Sequence, residues 1–208
     1  MHDYNPNIAI VVLAAGNSSR MGTPKQLLRW GDNNLLTHTV QTAIEVGGIE
    51  VIVVVGANNK RIEQEIKHLS VTILNNVNWQ DGLGKSIACA AKYVLDSQIQ
   101  IDGILITLAD QPFIEADYLK DIIRNFSANK KCIIATSYGN NKKGVPVLFD
   151  KYYFEELSNL SDDDGAKYVL KSNMSSVKTL KTRVKTLDID SREDYENIYK
   201  MKFGPNDN

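Results

Sequence analysis

Residues 10–28 read IVVLAAGNSSRMGTPKQLL, and the fold turns on where that apolar run stops. Isoleucine, valine and leucine without alternation describe a strand covered on both faces, because a half-solvated strand places a polar residue at every second position. The run then breaks into Ala14, Ala15 and Gly16, side chains too small to keep a ligand off the backbone, and two cations follow, Arg20 and Lys25. A strand end, a loop of small residues and local positive charge are the ingredients of an anion cradle. They equally make an ordinary strand-to-helix turn with Arg20 and Lys25 solvated, so at this level both readings stay open. Named phosphate loops do not decide between them. Gly16 to Lys25 lacks the GxxxxGK[ST] spacing, and Gly82-Leu-Gly84-Lys-Ser-Ile has Ile87 where a dinucleotide fingerprint needs its third glycine.

Outward from this segment, similar runs recur at 51–55 (VIVVV), 71–74 (VTIL), 104–109 (ILITLA) and 132–136 (CIIAT). Between them lie stretches with helical spacing, such as Leu36, Val40, Ala43, Ile44 and Gly47, or Ile62, Ile66 and Leu69, with further helices beginning near Lys85, Glu115 and Ser191. Strand alternating with helix predicts an α/β fold: a doubly wound, mostly parallel sheet with helices on both faces. In such sheets ligands bind beyond the carboxyl ends of the strands. Residues 139–149, GNNKKGVPVLF, depart from the rhythm; a turn and a short strand containing Pro146 predict an edge or antiparallel element. Residues 203–208 read as a frayed tail.

The chain of 208 residues is expected to form one domain spanning 1–208. With 43% apolar residues, 24% charged residues and a net charge of −1, it offers no general field for nucleic acid or an anionic membrane, so any anion needs a local site. No apolar stretch is long enough to cross a bilayer and MHDYNPN has no signal-type segment, which makes a cytoplasmic location the default expectation. Cys89 and Cys132 are far apart and outside any CxxC or Cys/His cluster, which argues against a disulfide framework or zinc site.

The segment LAAGNSSRMGTPKQLL resembles the signature LAAGxSxRMGxxKxLL of the MobA-like nucleotidyltransferase superfamily, which includes sugar-phosphate, isoprenoid and molybdenum-cofactor nucleotidyltransferases, and so implies a Rossmann-like nucleotidyltransferase fold. The resemblance implies that Leu13, Ala14, Ala15 and Gly16 line a nucleoside triphosphate, that Arg20 contacts its phosphates, and that Lys25 neutralises charge during transfer. The stretch NNVNWQDGLGKSIACAA at 75–91 reads by itself as a glycine turn capping a small-residue helix. Through Asn75, Trp79, Gly82 and Ser86 it resembles the base-recognition loop of the molybdopterin cytidylyltransferase branch, which implies Gly82 and Ser86 as nucleotide contacts; Trp79 serves equally as a packing anchor and is left outside the site.

Asp110 ends an apolar strand, where a lone aspartate often caps the next helix. LADQP, however, resembles the family's LxDQP, whose aspartate binds Mg²⁺. In LDIDSREDY (187–195), a last strand over 184–189 would project Asp188 and Asp190 to one face and leave Asp190 to cap the following helix. The resemblance to DIDTxxDY assigns the second metal-ligand role to Asp190, with Ser191 replacing the usual threonine. Geometry adds that both aspartates follow strands whose carboxyl ends share an edge, so Asp110 and Asp190 should meet at one magnesium ion. KKGVPVLF resembles the family's GxPVLF segment beside the second substrate. SDDDGAKYVL resembles SGDxGARxLL, departing from it at Asp162 and Lys167; as residues alone it is a well-capped helix start.

The likeness runs from about residue 8 to residue 195 and implies transfer of CMP from CTP to molybdopterin or its molybdenum form, with Mg²⁺ as cofactor and a molybdoenzyme as possible recipient of the product. GTP as donor or a sugar phosphate as acceptor keeps the same chemistry. A cofactor-carrying maturation protein without catalysis is the alternative of another class, and the intact set Arg20, Lys25, Asp110 and Asp190 argues against it.

Overall fold

The computed structural model describes residues 5–17, 22–139, 142–161, 165–182 and 188–204. Strand β1 (Ile8–Ala14) is followed by a 3₁₀ turn (Lys25–Leu27) and a hairpin of two short strands, β2 (Arg29–Trp30) and β3 (Asn33–Asn34), that leads into helix α1 (Leu35–Val46). Next come β4 (Glu50–Val55), α2 (Asn59–Ile66), β5 (Thr72–Asn75), α3 (Leu83–Asp96), β6 (Gly103–Leu108) and α4 (Ala116–Arg124). The remainder is β7 (Ile133–Ser137), β8 (Lys143–Asp150), α5 (Phe154–Ser158), α6 (Ala166–Ser172), β9 (Val177–Lys181) and α7 (Arg192–Phe203).

Seven strands form one sheet in the order β5-β4-β1-β6-β8-β7-β9, and every neighbouring pair is parallel except the two made by β8. All seven residues of β1 are buried, and the reason is the period of two: Ala9, Val11 and Leu13 enter the core under α3, α5 and α6, while Ile8, Ile10, Val12 and Ala14 enter the one under α1, α2 and α4. Residues 8–13 thus lacked polar alternation because helices cover both sides. Helix α1 begins where Asn34 Oδ1 accepts from the Thr37 amide at 2.8 Å, and it ends at Gly47, whose φ of 80° suits glycine.

Strand β8 is antiparallel as expected, but it is no edge strand. It lies between β6 and β7, and the proline is tolerated there because the β7 ladder shifts register at Ala135/Thr136, so that Ala135 pairs with Val147 and Thr136 with Gly144. The expected last strand at 184–189 falls mostly on residues 183–187, outside the described residues, and 188–190 adopt no regular element. The parallel outer strand is instead β9, whose residues show no apolar run because its faces are only partly covered, Val177 and Leu180 being half-buried and the other three exposed. Phe203 is not tail; it ends α7 and lies 5.0 Å from Trp30. Trp30 heads a small third core with Leu35, Ile189 and Ile198, ringed by Phe113, Tyr195 and Tyr199.

The strand order reverses at β1. Strands β4 and β5 continue to one side and β6 opens the other, so a crevice forms beyond the carboxyl ends of β1 and β6.

Candidate active site

Into that crevice β1 delivers Ala15 and Gly16, and β6 delivers Asp110. A methyl built on Gly16 meets nothing within 4 Å among the described residues, so their packing does not require glycine there; a close ligand would. The loop is held from behind by Gln26, which is 3% exposed and donates through Nε2 to the carbonyls of Ala14 (2.9 Å) and Gly16 (2.8 Å). Residues 18–21, and Arg20 with them, lie outside the described residues.

The 3₁₀ turn after the loop aims Lys25 back across the crevice. Its Nζ stands 2.5 Å from Asp110 Oδ2, donates to the Ile189 carbonyl at 3.1 Å, and lies 3.6 Å from Asp190 Oδ1. Asp110 and Asp190, expected to meet at one magnesium ion, both stand beside the Lys25 ammonium. Asp110 caps no helix: Glu115 precedes α4, and the Asp110 carbonyl instead accepts from the Ile189 amide at 3.2 Å. Its Oδ1 is buried with no hydrogen-bond partner among the described residues. Asp190 likewise caps nothing. Ser191 does so, in a reciprocal box with Asp194, and the Asp190 carboxylate remains largely exposed.

Asp188 is tied from the other side by Gln111 Nε2 at 2.8 Å. Burial pushes its carboxyl above the usual range; the Gln111 hydrogen bond opposes this, the charges of Asp110 and Asp190 add to it, and Lys25 counters them. Among the described residues no group of three or more acidic, histidine or cysteine side chains is arranged to hold a metal, and the carboxylates beside Lys25 are the pair Asp110 and Asp190. That suits magnesium, which takes one or two carboxylates and completes its shell with phosphate oxygens and water. The buried, unpartnered Asp110 Oδ1 fits the same role.

The opposite wall is the turn into α3. Gly82 has φ 102° and ψ 179°, a conformation that glycine alone adopts readily, and it sets the first turn of α3 against the crevice. Ser86 is 2% exposed and its Oγ accepts from Asn76 Nδ2 at 3.0 Å. It is Asn76 that turns inward, 5% exposed, whereas Asn75 is exposed. Trp79 does two things: it packs on Gly56, where a methyl would come within 2.5 Å of its Cβ, and it lines the crevice.

Leu13, Ala14, Ala15, Gly16, Lys25, Gly82, Ser86 and Asp110 all border one cavity of about 390 Å³, with Trp79 and Gln26 beside them. Asp190 stands beside Lys25 without bordering it. The sequence reading overlooked Gln26 and Gln111, though both sit inside segments it quoted, KQLL and LADQP. Neither glutamine carries a local signal, because the partners of each buried amide are backbone carbonyls or a carboxylate distant in sequence.

The chain matches the family described as MobA-like NTP transferase domain over residues 10–178. It is 26% identical over 206 residues to the purine catabolism protein PucB of Bacillus subtilis, covering 93% of this chain and 97% of that one. It is 28% identical over 149 residues to the bifunctional protein GlmU of Francisella philomiragia, covering 70% of this chain but 31% of GlmU, so it spans about a third of the length of that relative. Among solved structures it superposes on Rv0371c of Mycobacterium tuberculosis with a TM-score of 0.78 at 28% identity, covering 93% of this chain and 98% of Rv0371c. A second structure of Rv0371c, at 26% identity, is a complex with manganese.

Proposed function

The chain belongs to the MobA-like NTP transferase family, and from that premise we propose that it transfers CMP from CTP to molybdopterin or its molybdenum form, releasing pyrophosphate. One observation carries the reading: the Lys25 ammonium is set against Asp110 and Asp190 at the end of a cavity walled by a small-residue loop and the Gly82 turn. Cation and carboxylates are brought together where a triphosphate and a divalent ion would meet. The base assignment rests on the stretch 75–91, and the molybdopterin assignment on that stretch with LADQP.

In the reaction an oxygen of the ionised acceptor phosphate attacks the α-phosphorus of CTP. The new P–O bond forms as the bond to the bridging oxygen of the β-phosphate breaks, and that electron pair leaves on pyrophosphate. An acceptor already ionised needs no general base, which suits a cavity bordered by no histidine among the described residues. Leu13 to Gly16 bring the backbone close to the triphosphate, and Gln26 keeps that loop in place. Ser86, its oxygen engaged by Asn76, retains a hydroxyl proton to offer the base. Lys25 and Arg20 neutralise charge that grows as the leaving group separates. Magnesium, held by Asp110 and Asp190, would polarise the α-phosphoryl group and orient its oxygens; the manganese complex of Rv0371c supports a divalent ion here.

The test is pyrophosphate release from CTP, GTP, ATP and UTP, each with molybdopterin and with a sugar phosphate. Release confined to CTP with molybdopterin supports the reading. Faster release with GTP overturns the cytidylyl assignment, and release only with the sugar phosphate overturns the acceptor.

A further inference from the structure

The two carboxylates assigned to the metal already share a cation. Lys25 Nζ stands among oxygens that include Asp110 Oδ2 at 2.5 Å, the Ile189 carbonyl at 3.1 Å and Asp190 Oδ1 at 3.6 Å. An ammonium held against both carboxylates neutralises them and repels a divalent ion brought to the same pair, even one that would bind through the unpartnered Asp110 Oδ1, so lysine and metal compete for the site. Resting on the reading of Asp110 and Asp190 as the metal-holding pair, we propose that Lys25 is a built-in counter-ion that keeps the metal out until the nucleotide arrives.

Three features of the site carry this. The side chains of Lys25 and Asp110 are only 18% and 17% exposed, so water and salt screen their attraction less than they would at the surface. Lys25 sits against both carboxylates at once, so an incoming ion displaces it from the pair and does not merely add to one of them. The described residues provide no third acidic ligand, so an octahedral ion would draw most of its shell from water or phosphate. Metal alone is then doubly disfavoured, by few ligands and by a competing charge. A triphosphate reverses both terms: it supplies oxygens to the ion and gives the Lys25 ammonium a new anionic partner. Metal and nucleotide therefore bind in a coupled manner, with Lys25 moving from carboxylates to phosphates.

The test titrates Mn²⁺ into the full chain without nucleotide and follows the free ion by electron paramagnetic resonance. Lys25→Gln should bind Mn²⁺ at least about tenfold more tightly than wild type, while Lys25→Arg, which keeps the charge, should remain weak. Lys25→Met, unbranched and uncharged, repeats the measurement should the glutamine variant fail to fold. Unchanged or weaker Mn²⁺ binding in the uncharged variants overturns the counter-ion role. If that happens while Asp110→Asn abolishes metal-dependent turnover, the metal site stands and only this inference falls. A gain that persists in the double variant Lys25→Gln/Asp110→Asn places the ion elsewhere and overturns the metal-site reading as well.

Discussion

Lys25 is the residue on which most of the site's electrostatics converge. Its charge is wanted most where negative charge accumulates during transfer, so Lys25→Ala should lower kcat on the order of 100-fold or more while changing CTP affinity far less. Steady-state kinetics with pyrophosphate detection decides this; an affinity loss with kcat intact would make the lysine a ground-state anchor. Gly82 makes a different demand. Its φ of 102° with ψ 179° strains any side chain, so Gly82→Ala should destabilise the protein by about 1–3 kcal/mol in urea unfolding and distort the cavity wall, raising KM for the nucleotide. His38 is outside the chemistry but linked to stability. Burial holds its imidazole below the ordinary value of 6.5, with the Lys202 charge acting the same way, while the hydrogen bond to the Pro112 carbonyl and the charge of Glu115 oppose. The folded state then binds fewer protons than the unfolded one just below pH 6.5, so stability is present above that pH and declines as the pH falls through the window. Urea midpoints measured between pH 5 and 7 should fall on acidification, and His38→Gln should flatten that slope.

At the scale of elements, the two ends of the chain are joined by aromatic packing. Trp30, at the end of β2, is 3% exposed and meets Phe113 edge-on at 5.7 Å, Tyr199 at 6.1 Å and Phe203 at 5.0 Å. Tyr195 adds a hydrogen bond to the Arg29 carbonyl at 2.9 Å. This third core matters to the site because the β2–β3 hairpin follows the turn bearing Lys25, and α7 follows Asp190. Trp30→Ala should cost about 3–5 kcal/mol in unfolding free energy. The loss should be accompanied by a disproportionate fall in kcat, since the lysine and the aspartate lose a common support. The sequence indicated α7 from its start at Ser191 but not what it docks on. The hairpin went unread, although Gly31-Asp32 between Trp30 and Asn33 is a two-residue turn with φ 61° at the glycine. Strands of two residues are too short to show a period.

Across the whole molecule, ligand binding reports on the fold as a unit, because anything held only by the folded state raises its stability by RT ln(1 + [L]/Kd), about 2.7 kcal/mol at a hundredfold excess over Kd. CTP with Mg²⁺ should therefore raise the melting temperature more than GTP with Mg²⁺, and CTP without metal should raise it less than the pair together. A larger shift with GTP in a thermal melt sinks the pyrimidine assignment. The amino-acid sequence by itself determined the sheet strands between residues 8 and 137 and the helices between them, because an apolar run covered on both faces and a helical stripe of buried residues are local signals. It also determined the small-residue loop and the candidate residues Lys25, Asp110 and Asp190, through motifs whose order follows the chain. What the tertiary structure alone decided is which groups touch. Strand β8 enters the sheet interior because a register shift absorbs its proline. Gln26 and Gln111 become braces because the carbonyls and the carboxylate they need arrive from other segments. Lys25 lies between Asp110 and Asp190, 85 and 165 positions further along the chain, because β1 and β6 end at one edge and α7 returns to it. Such contacts depend on distance in space, and spacing along the chain carries no record of it.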